Sequence, residues 1–158
     1  MKQYHNIPPV YITESQILIL GSFPSVKSRE GQFFYHHPQN RFWKVLEALY
    51  QHPPLNTIEE KKDFLLEHHI AVWDVIASCD IIGSSDSSIE NVVVNDLSCL
   101  LEKTQIHTIY TNGKKAHTLY QKYCYCLTHI DDVCLPSTSP ANASYSLEKL
   151  LQVWKSIL

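Results

Sequence analysis

The chain has 158 residues, 44% of them apolar and 18% charged. That suits one domain with a real hydrophobic core and excludes general disorder. No apolar run reaches the ~18 residues of a membrane-spanning helix. The opening MKQYHNIPPVYITES lacks the basic, apolar and small-residue series of a secretory leader, so the expected compartment is the cytoplasm. The formal net charge of −3 is unevenly spread: residues 51–100 carry two basic and nine acidic groups, while the segments on either side are each net +2. A strong electrostatic grip on nucleic acid is not expected from this balance.

Taken in chain order, QILILG (16–21) is a short buried strand ending in glycine. After a loop rich in proline, aromatics and histidine, Phe42, Val45, Leu46 and Leu49 recur at helical spacing and predict a helix over about 40–50, stopped by Pro53-Pro54. Thr57 to Glu60 is a capping-box pattern opening a helix through about His68. IAVWDVIA (70–77) is the second strand, GSSDSS (83–88) a loop, and a helix follows near Asp96–Lys103. IHTIYT (106–111) is the third strand, 113–123 a helix, and the stretch near 126–135 the fourth strand. A terminal helix presents Leu147, Leu150, Leu151 and Trp154 as its core stripe. Strands alternating with helices imply an α/β fold with a parallel sheet. Ligands in such sheets sit beyond the carboxyl ends of the strands, here at GSFPS…HPQN, TNGKK and LPSTSPANAS.

Several familiar chemistries are missing from those loops. There is no G-x-S-x-G elbow, no Walker A run and no G-x-G-x-x-G. TNGKK alone reads as a tight turn with two solvated lysines. The five cysteines are an odd number and are expected to be reduced and mostly buried. Neither Cys124-Tyr-Cys126 nor the histidine doublets 36–37 and 68–69 have metal-ligand spacing, so no metal and no cofactor are expected.

The strand ending in G-x-x-P, followed by HPQNRFWKV entering a helix, resembles the first motif of the uracil-DNA glycosylase superfamily. HPQNRFWKV is similar to the mismatch-specific branch. GSFPS, WDV with CDIIGSSDSSI, and LPSTSPANA together resemble the hypoxanthine-DNA glycosylase family. The likeness runs from Ile17 to Trp154. It implies a single domain over residues 1–158, a three-layer α/β/α sandwich around a mainly parallel four-stranded sheet. It also implies a metal-independent enzyme, a monomer without an obligate protein partner, whose substrate is DNA containing a deaminated base. The chief base would be hypoxanthine, with uracil, xanthine or mismatch excision as the alternative. A non-catalytic DNA-binding module on the same fold is a second alternative. A small-molecule hydrolase using Ser22 or Ser25 is a third, for which no His–Asp arrangement is evident.

The residue types suit that chemistry. Base excision needs a flipped base in a pocket, a placed water and stabilisation of the departing base. Amides hold water or base edges, aromatic rings stack on bases, and hydroxyls grip phosphates.

By the resemblance, Phe23 stands where most of the superfamily has a catalytic Asp or Asn. Asn40 and Asn112 take the catalytic roles, Asn40 placing water or polarising the base. Tyr35 occupies the slot of the base-stacking aromatic, and Phe23, Gly21 and Ser22 complete the base pocket. Pro24, Ser25, Ser137, Thr138 and Ser139 face the DNA backbone, with Asn142 orienting their loop, and residues 138–143 offer no bulky wedge.

Plainer roles stand beside these: Asn40 as a helix cap, Phe42, Trp43 and Trp154 as core, and Arg41 as a phosphate contact or an ion pair. Asp74 reads as a buried anchor in preference to a pocket acid, and Asp86 as a loop cap.

Overall fold

The computed structural model describes residues 2–158. Its elements in chain order are β1 (Lys2–Tyr4), β2 (Ile17–Gly21), α1 (Val26–Gly31), α2 (Phe42–Leu49), α3 (Ile58–Glu67), β3 (Ile70–Asp74), β4 (Ile76–Asp80), β5 (Glu90–Val94), α4 (Leu97–Glu102), β6 (Thr108–Asn112), α5 (Lys114–Tyr123), α6 (Tyr125–Thr128), β7 (Asp132–Leu135) and α7 (Leu147–Trp154). Four parallel strands form the main sheet in the order β3-β2-β6-β7. Strands β1, β4 and β5 form a separate antiparallel sheet.

Side chains alternate across the pleat, and β2 shows why a three-layer sandwich results. Ile17 and Ile19 enter one core with Phe42, Val45, Phe64 and Trp154 from α2, α3 and α7. Leu18 and Leu20 enter the other with Ile76, Leu97 and Leu119 from β4, α4 and α5. Each core residue of β2 is almost fully enclosed, as a strand covered on both faces requires.

Four sequence expectations need correction. The apolar run 70–77 is two strands in two sheets. The chain follows β2 to its end, where the Val75 and Ile76 N–H groups donate to the carbonyls of Gly21 and Ser22 at 2.9 and 3.1 Å, and then leaves for the antiparallel sheet. Burial on both sides hides that switch from periodicity. The fourth strand begins only at Asp132, because α6 and a left-handed turn at His129 (φ 58°) take up the preceding residues. Leu147 is 37% exposed, and α7 buries Leu150 and Trp154 instead. Only Cys79 and Cys124 are buried; Cys99, Cys126 and Cys134 are exposed, and all five are free thiols.

Helix α1 lies inside the first loop, unannounced by any apolar period. Its start is fixed by Ser25, whose Oγ accepts from the Ser28 N–H at 3.1 Å. The Thr57 signal holds: its hydroxyl accepts from the Glu60 N–H and donates to the Glu60 carboxylate, both at 3.1 Å. Among the described residues no helix is long and apolar enough to cross a membrane.

Candidate functional site

Gly21, Asp74, Asn112 and Leu135 end the four parallel strands, and the loops beyond them enclose a cleft of about 310 Å³. All the residues given a catalytic, base-binding or DNA-backbone role by the resemblance line it except Asn142. The loops after β2, β6 and β7 therefore converge as the parallel sheet requires.

One wall is a closed network centred on Thr138, which is fully buried. Asn112 grips it twice: its Oδ1 accepts from the Thr138 N–H, and its Nδ2 donates to Thr138 Oγ1, both at 3.0 Å. That hydroxyl in turn donates to Asn40 Oδ1 at 2.8 Å. Asn40 Oδ1 also accepts from the Phe42 N–H at 2.9 Å, so the amide supports the first turn of α2 as well. Two donors on one oxygen fix which end of Asn40 is which, and among the described residues leave its NH₂ group as the free end on a cleft-lining residue. Thr138 has no hydroxyl to spare for a phosphate. Its burial corrects that expectation and makes it the post between the two amides.

Among the described residues Arg41 forms no ion pair. Its guanidinium donates to the carbonyls of Ser139 (3.3 Å), Asn142 (3.0 Å) and Tyr145, clamping the loop after β7 to the start of α2. Asn142 adds an inner brace, its Nδ2 donating to the Ser137 carbonyl at 3.0 Å. Ser137 Oγ accepts from the Ser139 N–H at 3.1 Å.

Aromatic rings and carboxylates make the opposite wall and the floor. Phe23 is buried, with the Arg29 guanidinium 5.2 Å from its ring centroid and the His5 ring edge-on at 6.1 Å. Tyr35 sits at φ 51°, a left-handed conformation that is costly for a non-glycine residue. Its ring stacks on Phe42 with centroids 3.9 Å apart, so one face is already covered. Its hydroxyl is sealed from solvent and meets no partner with full hydrogen-bond geometry among the described residues. Burial first, then the Asp74 charge, hold the phenol pKa far above its usual value, with weak hydrogen bonding from the Asn112 side chain opposing.

Asp74 is 3% exposed and lines the cleft, so anchor and pocket acid are one residue. Its Oδ2 lies 2.8 Å from His5 Nε2, and His5 Nδ1 accepts from the Ile7 N–H at 3.3 Å. That pairing assigns the ring proton to Nε2, facing the carboxylate. The absence of a side chain at Gly21 makes room for this floor: a Cβ there would stand 2.3 Å from Asp74 Oδ1 and 3.2 Å from the Tyr35 hydroxyl. At the rim, Ser22 Oγ donates to Asp86 Oδ1 at 2.9 Å. Loss of solvation raises the Asp86 pKa, with the Ser22 bond and Lys115 opposing and the Asp74 charge adding slightly. The sequence reading missed His5 entirely, because nothing local ties a histidine before the first long strand to a strand end 69 residues later. Among the described residues no three His, Cys, Asp or Glu side chains are grouped to share a metal ion.

A parallel α/β sandwich with a base-sized cleft of amides, hydroxyls and aromatics at its strand ends matches the family model of the uracil DNA glycosylase superfamily over residues 8–157. The chain is 33% identical over 152 residues to a hypoxanthine DNA glycosylase of Methanosarcina acetivorans, covering 95% of this chain and 94% of that one. It is 31% identical over 112 residues to a hypoxanthine DNA glycosylase of Methanosarcina barkeri, covering 69% and 70%. A solution NMR structure from M. acetivorans, provisionally assigned as a uracil DNA glycosylase, superposes with a TM-score of 0.81 at 31% identity over 99% of both chains. The chain belongs to the uracil-DNA glycosylase superfamily and, within it, to the hypoxanthine-DNA glycosylase family.

Proposed function

We propose that the protein hydrolyses the N-glycosidic bond of a deaminated base in DNA, chiefly hypoxanthine, and leaves an abasic site. The observation that carries this reading is the Asn40 amide, whose oxygen is doubly engaged while its NH₂ remains free at the cleft. An amide held this way only donates. It therefore polarises an acceptor on the base or holds the oxygen of a water; it does not remove the water's proton. That suits a reaction in which the C1′–N bond is largely broken before water adds, since the base then needs donors as it takes the bonding electrons. The water oxygen bonds to C1′ and its proton ends on the departing base. Asn112 and Thr138 act as positioning residues that hold Asn40 in place.

On this reading Ser25 and Ser139, cleft-lining and half-buried, meet the DNA backbone, while Pro24 is buried and shapes the loop instead. With a formal net charge of −3, affinity rests on the flipped base and on backbone hydrogen bonds more than on charge.

The test uses labelled oligonucleotides carrying deoxyinosine, deoxyuridine or deoxyxanthosine, incubated with enzyme and EDTA and then cut with alkali. Cleavage is expected at deoxyinosine above the other two, and lost in Asn40→Ala. No cleavage by folded protein at any of the three lesions would overturn the reading in favour of a module that binds DNA without excising bases.

A further inference from the structure

Asp74 stands deep in the cleft and the proposed reaction has given it nothing to do. Its depth argues against water activation. C1′ of a flipped nucleotide stays near the mouth with its phosphates, and only the base reaches the floor. The floor presents two polar atoms side by side above Gly21: Asp74 Oδ1 and the Tyr35 hydroxyl, 2.3 and 3.2 Å from the position a Cβ would take. The hydroxyl is buried and unpartnered, while the other carboxylate oxygen, Oδ2, is held by His5. Both residues line the cleft, and each keeps one atom, a donor enclosed at the floor and an acceptor beside it, with no hydrogen-bond partner among the described residues.

We infer that this pair reads the lactam edge of the flipped base, with Tyr35 Oη donating to the exocyclic carbonyl oxygen, Asp74 Oδ1 accepting the adjacent ring N–H, and His5 acting as the positioning residue that fixes the carboxylate. The inference rests on the glycosylase reading and specifies its substrate class. Hypoxanthine, xanthine and uracil all carry a carbonyl beside a ring N–H. Adenine and cytosine reverse the pattern, setting an amino group against the hydroxyl and a ring lone pair against the carboxylate. Buried, that mismatch leaves groups on both sides unpaired.

His5 extends the argument to guanine, which shares the lactam edge but adds a 2-amino group. A free carboxylate takes such a base with both oxygens, one on the ring N–H and one on the amino group. With Oδ2 spent on His5 Nε2, the second acceptor is gone and the amino group finds no partner there. The histidine is thereby a selectivity element against guanine, a normal base with this edge. Its burial and its aromatic neighbours Phe23, Phe34 and Trp73 hold the ring in place.

The experiment measures equilibrium binding of duplexes carrying 2′-fluoroarabino analogues of deoxyinosine, deoxyadenosine and deoxyguanosine, which resist base release. Deoxyinosine turnover and abasic-site duplex binding are measured beside it. Asp74→Asn is expected to lower the hypoxanthine-over-adenine preference by about tenfold or more. Tyr35→Phe is expected to lower it by a smaller factor. That variant keeps the fold, since the lost hydroxyl bonds nothing inside the protein. His5→Ala is expected to raise guanine binding relative to hypoxanthine, and His5→Gln, which keeps an N–H donor, to restore the wild-type ratio.

Unchanged preferences in Asp74→Asn and Tyr35→Phe, with wild-type turnover present, would overturn the inference alone. An unchanged guanine ratio in a folded His5→Ala would overturn the histidine's part. Absence of wild-type turnover would overturn the glycosylase reading and this inference together.

Discussion

The two walls of the cleft are built on opposite principles. On the amide wall, Thr138, Asn112 and the oxygen of Asn40 have all been committed to one another, and only an NH₂ group is left over. On the floor, a phenol hydroxyl sealed from water has no hydrogen-bond partner among the described residues, and beside it stands the carboxylate oxygen that His5 leaves free. A satisfied network is rigid and tolerant of an empty site. An unsatisfied pair costs stability until something fills it. The contrast separates what holds the reactive group still from what waits for a ligand, within a single cavity.

Cutting the amide wall at its free end gives the largest expected effect. Asn40→Ala should lower single-turnover base release a hundredfold or more, on the scale of losing a transition-state donor. Losing its bond to the first turn of α2 should cost only about 1 kcal/mol of stability, read by urea unfolding. A loss of activity matched by collapse of the fold would erase the division between the walls.

Gly21→Ala strikes the floor. Its methyl would meet Asp74 Oδ1 at 2.3 Å and displace the carboxylate from His5. A destabilisation of about 1–3 kcal/mol is expected, with weakened binding of deoxyinosine duplexes and unimpaired binding of undamaged DNA. Thr138→Val sharpens the other side by removing the post and leaving both amides short of a partner. About 1–3 kcal/mol of stability should go, with release slowed about tenfold through misplacement of Asn40.

The smallest effect concerns pH. The folded pKa of Asp86 is raised above its ordinary 3.8, so the folded state binds its proton more tightly than the unfolded chain. Its ionisation therefore subtracts stability as pH rises through the ordinary value toward the raised one, and none of that penalty remains in Asp86→Asn. The variant should be slightly more stable than the parent at pH 7 and no more stable at pH 3. Urea midpoints at the two pH values check this. Exposure of the loop to solvent keeps the difference small.

Much of this molecule was legible in its sequence where physical signals are local. QILILG showed its burial, Thr57 showed its cap, and the apolar spacing from Phe42 showed α2, because each depends on neighbours a few residues apart. The motif HPQNRFW carried Asn40 into the site, yet the tertiary use of its oxygen could not be read from it. That oxygen is spent on Thr138, 98 residues away. The split of residues 70–80 into two sheets was hidden by uniform burial. His5 was hidden by distance, and Arg41 by the fact that its partners are backbone carbonyls, which carry no sequence mark.

Strand β1 is only three residues long and pairs with β4 alone, at the edge of the smaller sheet. His5 follows it directly and is tied down by its N–H on the Ala77 carbonyl at 2.7 Å. A three-residue strand with a single neighbour opens more readily than the buried parallel sheet. When this edge opens, the Asn40 wall stays intact while the restraint on Asp74 is released. Opening there therefore spares speed and erodes fidelity: the enzyme keeps its machinery for breaking the bond and loses part of its judgement about which base to remove.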